Sequence, residues 1–345
     1  MRFSRSGFAA LLLLTLSAAP ALSAPPAPPA RPDAARAEHD RIVRYWTPER
    51  MASASPRDFV RSGNRFMPAA KPPGTPGGGG GGGGGSSSTV TGATWSKGGD
   101  VADGVGKVYF TMGASSYQCS GTGAQDSRSG YSLVLTAGHC AFDESEGEFA
   151  SNWIFIPAWG SAPAGFQGVD CTQYGATKYG CWTASALVVH DGYATAGGFN
   201  DQAVRHDWGF AVMGLGGHGN THLDATVGSQ PVSFASVSTG TTVSAFGYPA
   251  AGKYNGSDLI YCQGPVGTDA LTANTTYQVA CNMTGGSSGG PWFAPFDATS
   301  GTGTQVSVNS YGYTGVQSMY GPMFNSDTQS TWTAALSANS NAIVD

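Results

Sequence analysis

Past its first residues the chain has no apolar run long enough to cross a bilayer. It has no Cys-x-x-Cys pair, no internal repeat, and no histidine after His222. Positive charge is also short, with 17 Lys and Arg against 22 Asp and Glu. Each shortage excludes something. Without a spanning run, the exported chain is expected to be soluble and off the membrane. Without a Cys-x-x-Cys pair, its six cysteines read poorly as zinc ligands, and neither a metal nor a cofactor is expected. The charge is uneven as well. Residues 25–76 carry nine basic and five acidic side chains, whereas residues 90–345 carry six and seventeen. A body that acidic repels a phosphate backbone, so nucleic acid is not an expected partner. Opposite signs favour contact between the two parts, to the extent that salt does not screen it.

What is present divides the chain. Arg2 and Arg5, the apolar run Phe8 to Leu16 and small residues at Ala21, Ser23 and Ala24 have the form of an export signal over 1–24. Secretion to the extracellular space, or to a periplasm, follows. In that oxidising setting the six cysteines are expected to form three disulfides, and counting alone leaves fifteen pairings open. Gly77 to Gly85, followed by Ser86 to Ser88, has no side chains to bury and reads as a linker over 77–89. It separates a leader, 25–76, from a body, 90–345. The leader is expected to hold one helix from about Ala34 to Tyr45, capped by Asp33 and stopped by Pro48. It reads as a pro-segment removed after export, with a plain spacer as the alternative.

The body's apolar runs are short and broken by Gly, Asn, Asp and Pro. Leu133–Leu135, Trp153–Ile156, Phe210–Met213, Val243–Phe246, Leu259–Tyr261, Gln278–Cys281 and Val306–Val308 are examples. Short antiparallel strands in an all-β barrel or sandwich are expected, with a short helix near Trp332–Leu336.

Three segments carry chemistry. Gly286-Ser287-Ser288-Gly289-Gly290-Pro291 surrounds a serine with glycines that let the backbone turn tightly, so the N–H groups of Gly286 and Ser288 can converge on an oxyanion. A glycine-rich surface turn is the plainer reading. Leu133 to Cys140 is an apolar strand delivering His139, pinned by the neighbouring Cys140, as a general base must be. Asp207 stands at the entry to the strand beginning at Phe210, where burial against an imidazole would fix its tautomer; Asp191 and Asp201 compete for that role.

Together these segments resemble the chymotrypsin-like serine peptidases, nearest to secreted bacterial trypsin-like and glutamyl-endopeptidase-like enzymes. Thr136-Ala137-Gly138-His139-Cys140 is similar to the family's histidine motif, Asp207 to its aspartate before a strand, and Gly286 to Pro291 to its serine loop. Phe155-Ile156-Pro157, Gly247-Tyr248-Pro249, Met319-Tyr320-Gly321-Pro322 and, in the leader, Tyr45 to Met51 carry the bacterial likeness. The resemblance implies two antiparallel β-barrels, about 90–225 and 226–345, with His139, Asp207 and Ser288 in the cleft between them. It implies a Cys119–Cys140 disulfide, and substrate backbone pairing at Ser310, Tyr311 and Gly312. Cys171 with Cys181, and Cys262 with Cys281, are the remaining pairs by closeness and remainder.

Chain order argues separately. Gly286 to Gly290 also fits the G-x-S-x-G elbow of α/β-hydrolases, but that fold needs a histidine after the serine, and all six precede Ser288. The expected activity is hydrolysis of polypeptides through an acyl-enzyme, by a monomer whose own pro-segment is a candidate partner. A catalytically silent binding protein on the same fold, or an esterase, is the alternative. Ser287 stands where the family usually has an aspartate, so activation through an aspartate–amino-terminus ion pair is not expected. Asn282 to Ser287 holds no acid, and Asn309 stands where glutamate-selective relatives carry histidine. A neutral or apolar side chain is therefore the expected preference. His218 and His222, four apart around Gly219 and Asn220, read as solvated loop residues.

Overall fold

Runs rich in Val, Ile, Thr and aromatics pair across the chain because each buries one face and leaves its backbone groups to a neighbour. A computed structural model describes Met1 and residues 32–69, 89–128, 130–161 and 168–345. Apart from Met1, the expected export signal lies outside the described residues, and so does the glycine tract.

Six strands close the first barrel. Ser115–Ala124 pairs on one side with Val105–Met112 and on the other with Leu133–Thr136. The circuit is completed through Ser151–Pro157, Trp182–His190 and Gly209–Met213. Val108, Phe110, Leu135, Phe155, Val188 and Phe210 fill its interior. The second barrel joins the sheet Thr302–Val308, Pro291–Asp297, Thr242–Gly247 and Ile260–Pro265 to Thr276–Ala280, Ser318–Pro322 and Tyr311–Tyr313. Val243, Ile260, Val279, Trp292 and Val306 form its core. The fold is thus the all-β double barrel expected from the sequence.

The chain ends cross between barrels. Val90–Thr94 pairs with Ile260–Pro265 of the second barrel, and Ala342–Val344 with Trp182–His190 of the first. The C-terminal helix spans Ser326–Ala335 and leans on the first barrel. It begins at Ser326 because Asn325 and Thr328 close a capping box, each side chain bonding the other's backbone N–H. The disulfides are Cys119–Cys140, Cys171–Cys181 and Cys262–Cys281.

The leader is folded onto the body. Its first helix, Pro32–Tyr45, ends where expected, but Pro48 is more than a stop. It opens a second helix, Pro48–Ser53, because proline needs no partner for an N–H at a first turn and Thr47 caps the Arg50 N–H. Trp46, Met51 and Ala54 are buried in one apolar cluster with Tyr109 and Trp159 of the body, the Trp46 and Tyr109 rings lying 5.5 Å apart. Two leader strands then extend the barrels. Ser55–Pro56 runs parallel to Tyr117 and Gln118, and Phe59–Ser62 runs parallel to Tyr311–Tyr313.

Candidate active site

Leu133–Thr136 delivers the chain into a tight turn, Gly138–Cys140, which the Cys119–Cys140 bridge ties to the neighbouring strand. The pairing of Gly209 with Thr136 brings Asp207 beside that turn. His139 and Asp207 are both fully buried. The backbone N–H of His139 donates to Asp207 Oδ1 at 2.9 Å, and His139 Nδ1 lies 2.8 Å from Asp207 Oδ2. A carboxylate can only accept, so the imidazole proton belongs on Nδ1 and Nε2 is left basic. Ser310 Oγ also donates to Asp207 Oδ2. The rival aspartates are engaged elsewhere, Asp191 beside His190 and Asp201 with Arg61.

The serine loop is held from three sides. Gly286 and Gly289 take left-handed φ values of +98° and +80°. At Gly289 a Cβ would fall 2.1 Å from Thr136 Oγ1, so only glycine fits. Ser120 N–H donates to Ser288 O at 2.7 Å, and Ser120 Oγ to Gly286 O at 2.9 Å. Asn309, which stands where glutamate-selective relatives carry histidine, is fully buried behind the loop. Its Nδ2 donates to Ser287 O and Phe246 O, and its Oδ1 accepts from Trp292 Nε1. Ser287 Oγ donates to Thr284 O. Among the described residues, neither the Gly286 nor the Ser288 N–H has an acceptor.

The leader lies across this site. Ser288 Oγ donates to Asp58 Oδ1 at 3.2 Å, not to His139 as the sequence predicts, and His139 Nε2 has no hydrogen-bond partner among the described residues. Burial pushes the Asp58 carboxyl up to about 6, with His139 and the Ser288 hydroxyl pulling the other way. Phe59 sets its ring edge-on to His139 and stacks on Phe199 at 3.9 Å. Arg57 Nε donates to His139 O at 2.7 Å, while its other nitrogens reach Glu144 at 3.0 Å and Asp143 at 3.6 Å. Tyr193 Oη supports Glu144 from behind. Arg61 pairs with Asp201 at 2.7 Å. The basic leader therefore meets the acidic body through named pairs.

Of the expected substrate-pairing residues, Tyr311 and Gly312 carry the leader strand on their backbone, while Ser310 turns its side chain to Asp207. Beside them is a cavity of about 420 Å³ lined by Asn282 to Gly285, where the body's one charged lining residue is Lys253. His218 Nε2 bonds Thr177 O, and His222 precedes the short helix Leu223–Val227 without a side-chain cap bond to it. Asp58 and Arg57 carry no sequence signal of their own. They sit in a charge-rich leader whose docking only the fold reveals.

No protein-family model and no curated protein matches the chain. Solved structures do match, among them two serine proteases. A thermostable serine protease, AL20, from an extremophilic microorganism is 34% identical with a TM-score of 0.57, over 69% of this chain and 100% of its own. Protease Anisep from Arthrobacter nicotinovorans is 38% identical with a TM-score of 0.56, over 68% of this chain and 96% of its own.

Proposed function

The chain belongs to the chymotrypsin-like serine peptidases, and we propose that it is exported as a zymogen whose own leader fills the cleft until it is cut away. In this reading residues 1–24 are the signal, 25–76 the pro-segment, 77–89 the linker and 90–345 the endopeptidase. His139, Asp207 and Ser288 are its catalytic residues.

Once the leader leaves, Ser288 Oγ loses Asp58 and turns to His139 Nε2, the basic nitrogen left by Asp207's hold on Nδ1. Ser288 attacks the peptide carbonyl as His139 takes its proton. The N–H groups of Gly286 and Ser288 bind the oxygen of the tetrahedral intermediate. His139 then protonates the leaving amine, and water, activated by the same imidazole, releases the acyl group. The substrate backbone takes the edge at Tyr311 and Gly312 that the leader strand occupies. The observation that carries this reading is the Ser288–Asp58 hydrogen bond, made while Arg57 of the same leader holds His139 O.

Digestion of casein and a peptide library by the intact chain, and by the chain cut within 70–88, tests it. Cleavage is expected only after the cut, and D207N and S288A should remove it. Library cleavage by S288A, or none by the cut wild type, contradicts the reading.

A further inference from the structure

The guanidinium of Arg57 sits in a socket built wholly of body residues on three sides. Its Nε donates to His139 O at 2.7 Å, its Nη2 to Glu144 Oε2 at 3.0 Å, and its Nη1 lies 3.6 Å from Asp143 Oδ2. The Tyr117 ring faces it at 5.5 Å. The leader itself adds the Phe59 ring, 5.6 Å away.

Each acceptor is fixed without help from the leader. His139 O belongs to the turn Gly138–Cys140, tied down by the Cys119–Cys140 bridge. Asp143 and Glu144 follow at the short hairpin in which Phe142–Asp143 pairs with Glu148–Phe149. Asp143 Oδ1 accepts from Ser145 N–H, Ser145 Oγ and Glu146 N–H, which leaves Oδ2 to face the cation. Glu144 Oε2 accepts from Tyr193 Oη at 2.6 Å, and Tyr193 is fully buried.

Glu144 is 5% exposed even though it is an acid. Among the described residues, Arg57 is the one cation paired with it or with Asp143. A buried carboxylate that loses its counter-charge is costly. When the leader leaves, the socket therefore favours another cation in the same place. Three separated acceptors suit a guanidinium, whose donors sit on different nitrogens of one plane; an ammonium is a single point with less reach.

The socket opens onto the cleft. Arg57 N–H donates to Gln118 O, and the next residue, Asp58, bonds Ser288 Oγ. The leader thus crosses Ser288 between two strand edges, Tyr117–Gln118 beside the socket and Tyr311–Tyr313 beyond. We propose that Glu144, with Asp143 and His139 O, is a specificity site of the peptidase. It selects an arginine in the substrate half that lies across Ser288 from Tyr311 and Gly312. The inference rests on the reading of residues 25–76 as a removable pro-segment.

The test uses the full chain cut within 70–88. Peptides of one sequence carry arginine, its neutral isostere citrulline, or lysine at each of three positions on either side of the scissile bond. Mass spectrometry locates each cut, and fluorophosphonate tagging of Ser288 is run on every preparation. The expected result is an arginine over citrulline preference of about tenfold in kcat/KM at one position, on one side of the bond, with lysine between the two. Glu144→Gln should bring that ratio to about one, and Asp143→Asn should lower it about threefold.

If the wild type tags and cleaves without such a preference, or Glu144→Gln keeps it, the proposal is overturned while the peptidase reading stands. Lysine cleaved as well as arginine would overturn the three-acceptor fit. If the cut wild type neither tags nor cleaves, both readings fall. If Glu144→Gln does not fold, the wild-type ratio and Asp143→Asn still decide.

Discussion

The hydroxyl of Ser288 donates to the carboxylate of Asp58, 230 residues earlier in the chain, at 3.2 Å. That bond engages the proposed nucleophile with a group other than the proposed base, His139, which is the side chain held by Asp207. The consequences divide between the leader's grip and the catalytic machinery.

Arg57 anchors that grip, with a buried guanidinium between His139 O, Glu144 and Asp143. Charge-assisted hydrogen bonds of this kind contribute about 1.5–3 kcal/mol each. Arg57→Ala should raise the rate of Ser288 tagging in the intact chain by about tenfold or more. An unchanged rate would mean the leader is held elsewhere.

Asp58 gives the grip a pH dependence. Its carboxyl is pushed up to about 6 when docked, whereas a free aspartate titrates near 3.9. The docked leader therefore binds a proton that the released leader gives up. Its contribution to docking is fully present below about pH 4 and is lost as pH rises through about 6. Tagging of the intact chain, divided by tagging of the cut chain at the same pH, should rise on the order of tenfold from pH 4 to 8. Asp58→Asn should flatten that ratio. A ratio that falls with pH would reverse the assignment.

Much of this site was legible before any coordinates, and the division is physical. His139, Asp207 and Ser288 each sit where a strand meets a turn, so local pattern and chain order mark them as candidates. The strands from Leu133, Trp153, Phe210 and Val243 follow from short apolar runs. Asp58 and Arg57 were not legible, because their meaning lies in contacts across long stretches of chain. The bracing role of Asn309 was not legible for the same reason: its side chain bonds the distant Phe246 O as well as Ser287 O behind Ser288. Pro48 shows a local limit, since proline ends one helix and begins the next with equal ease.

Ser310 positions Asp207. Removing its hydroxyl takes one of three donors from a buried carboxylate, a loss of about 1–3 kcal/mol. In the cut enzyme, Ser310→Ala should lower kcat about tenfold with a smaller change in KM. Asp207→Asn should cost on the order of 10⁴, as in the Ser-His-Asp example from which that figure comes. Equal losses for the two would make Ser310 more than a supporting group.

Ser287 has no charge to pair with a new amino terminus, and its hydroxyl is committed to Thr284 O. Acetylating the terminus created by leader removal should leave kcat/KM within about twofold, the effect of a surface change. Loss of activity on acetylation would show an activation pair that Ser287 does not explain.

The account turns on Ser288 being a nucleophile that the leader covers. Fluorophosphonate tagging, with the tagged residue located by mass spectrometry, reads this directly in the intact chain and again after the cut leader has dissociated. The predicted result is a tag on Ser288 that forms about a hundredfold faster after the cut and not at all in His139→Ala. Equal rates before and after, or a tag on any other residue, would contradict it.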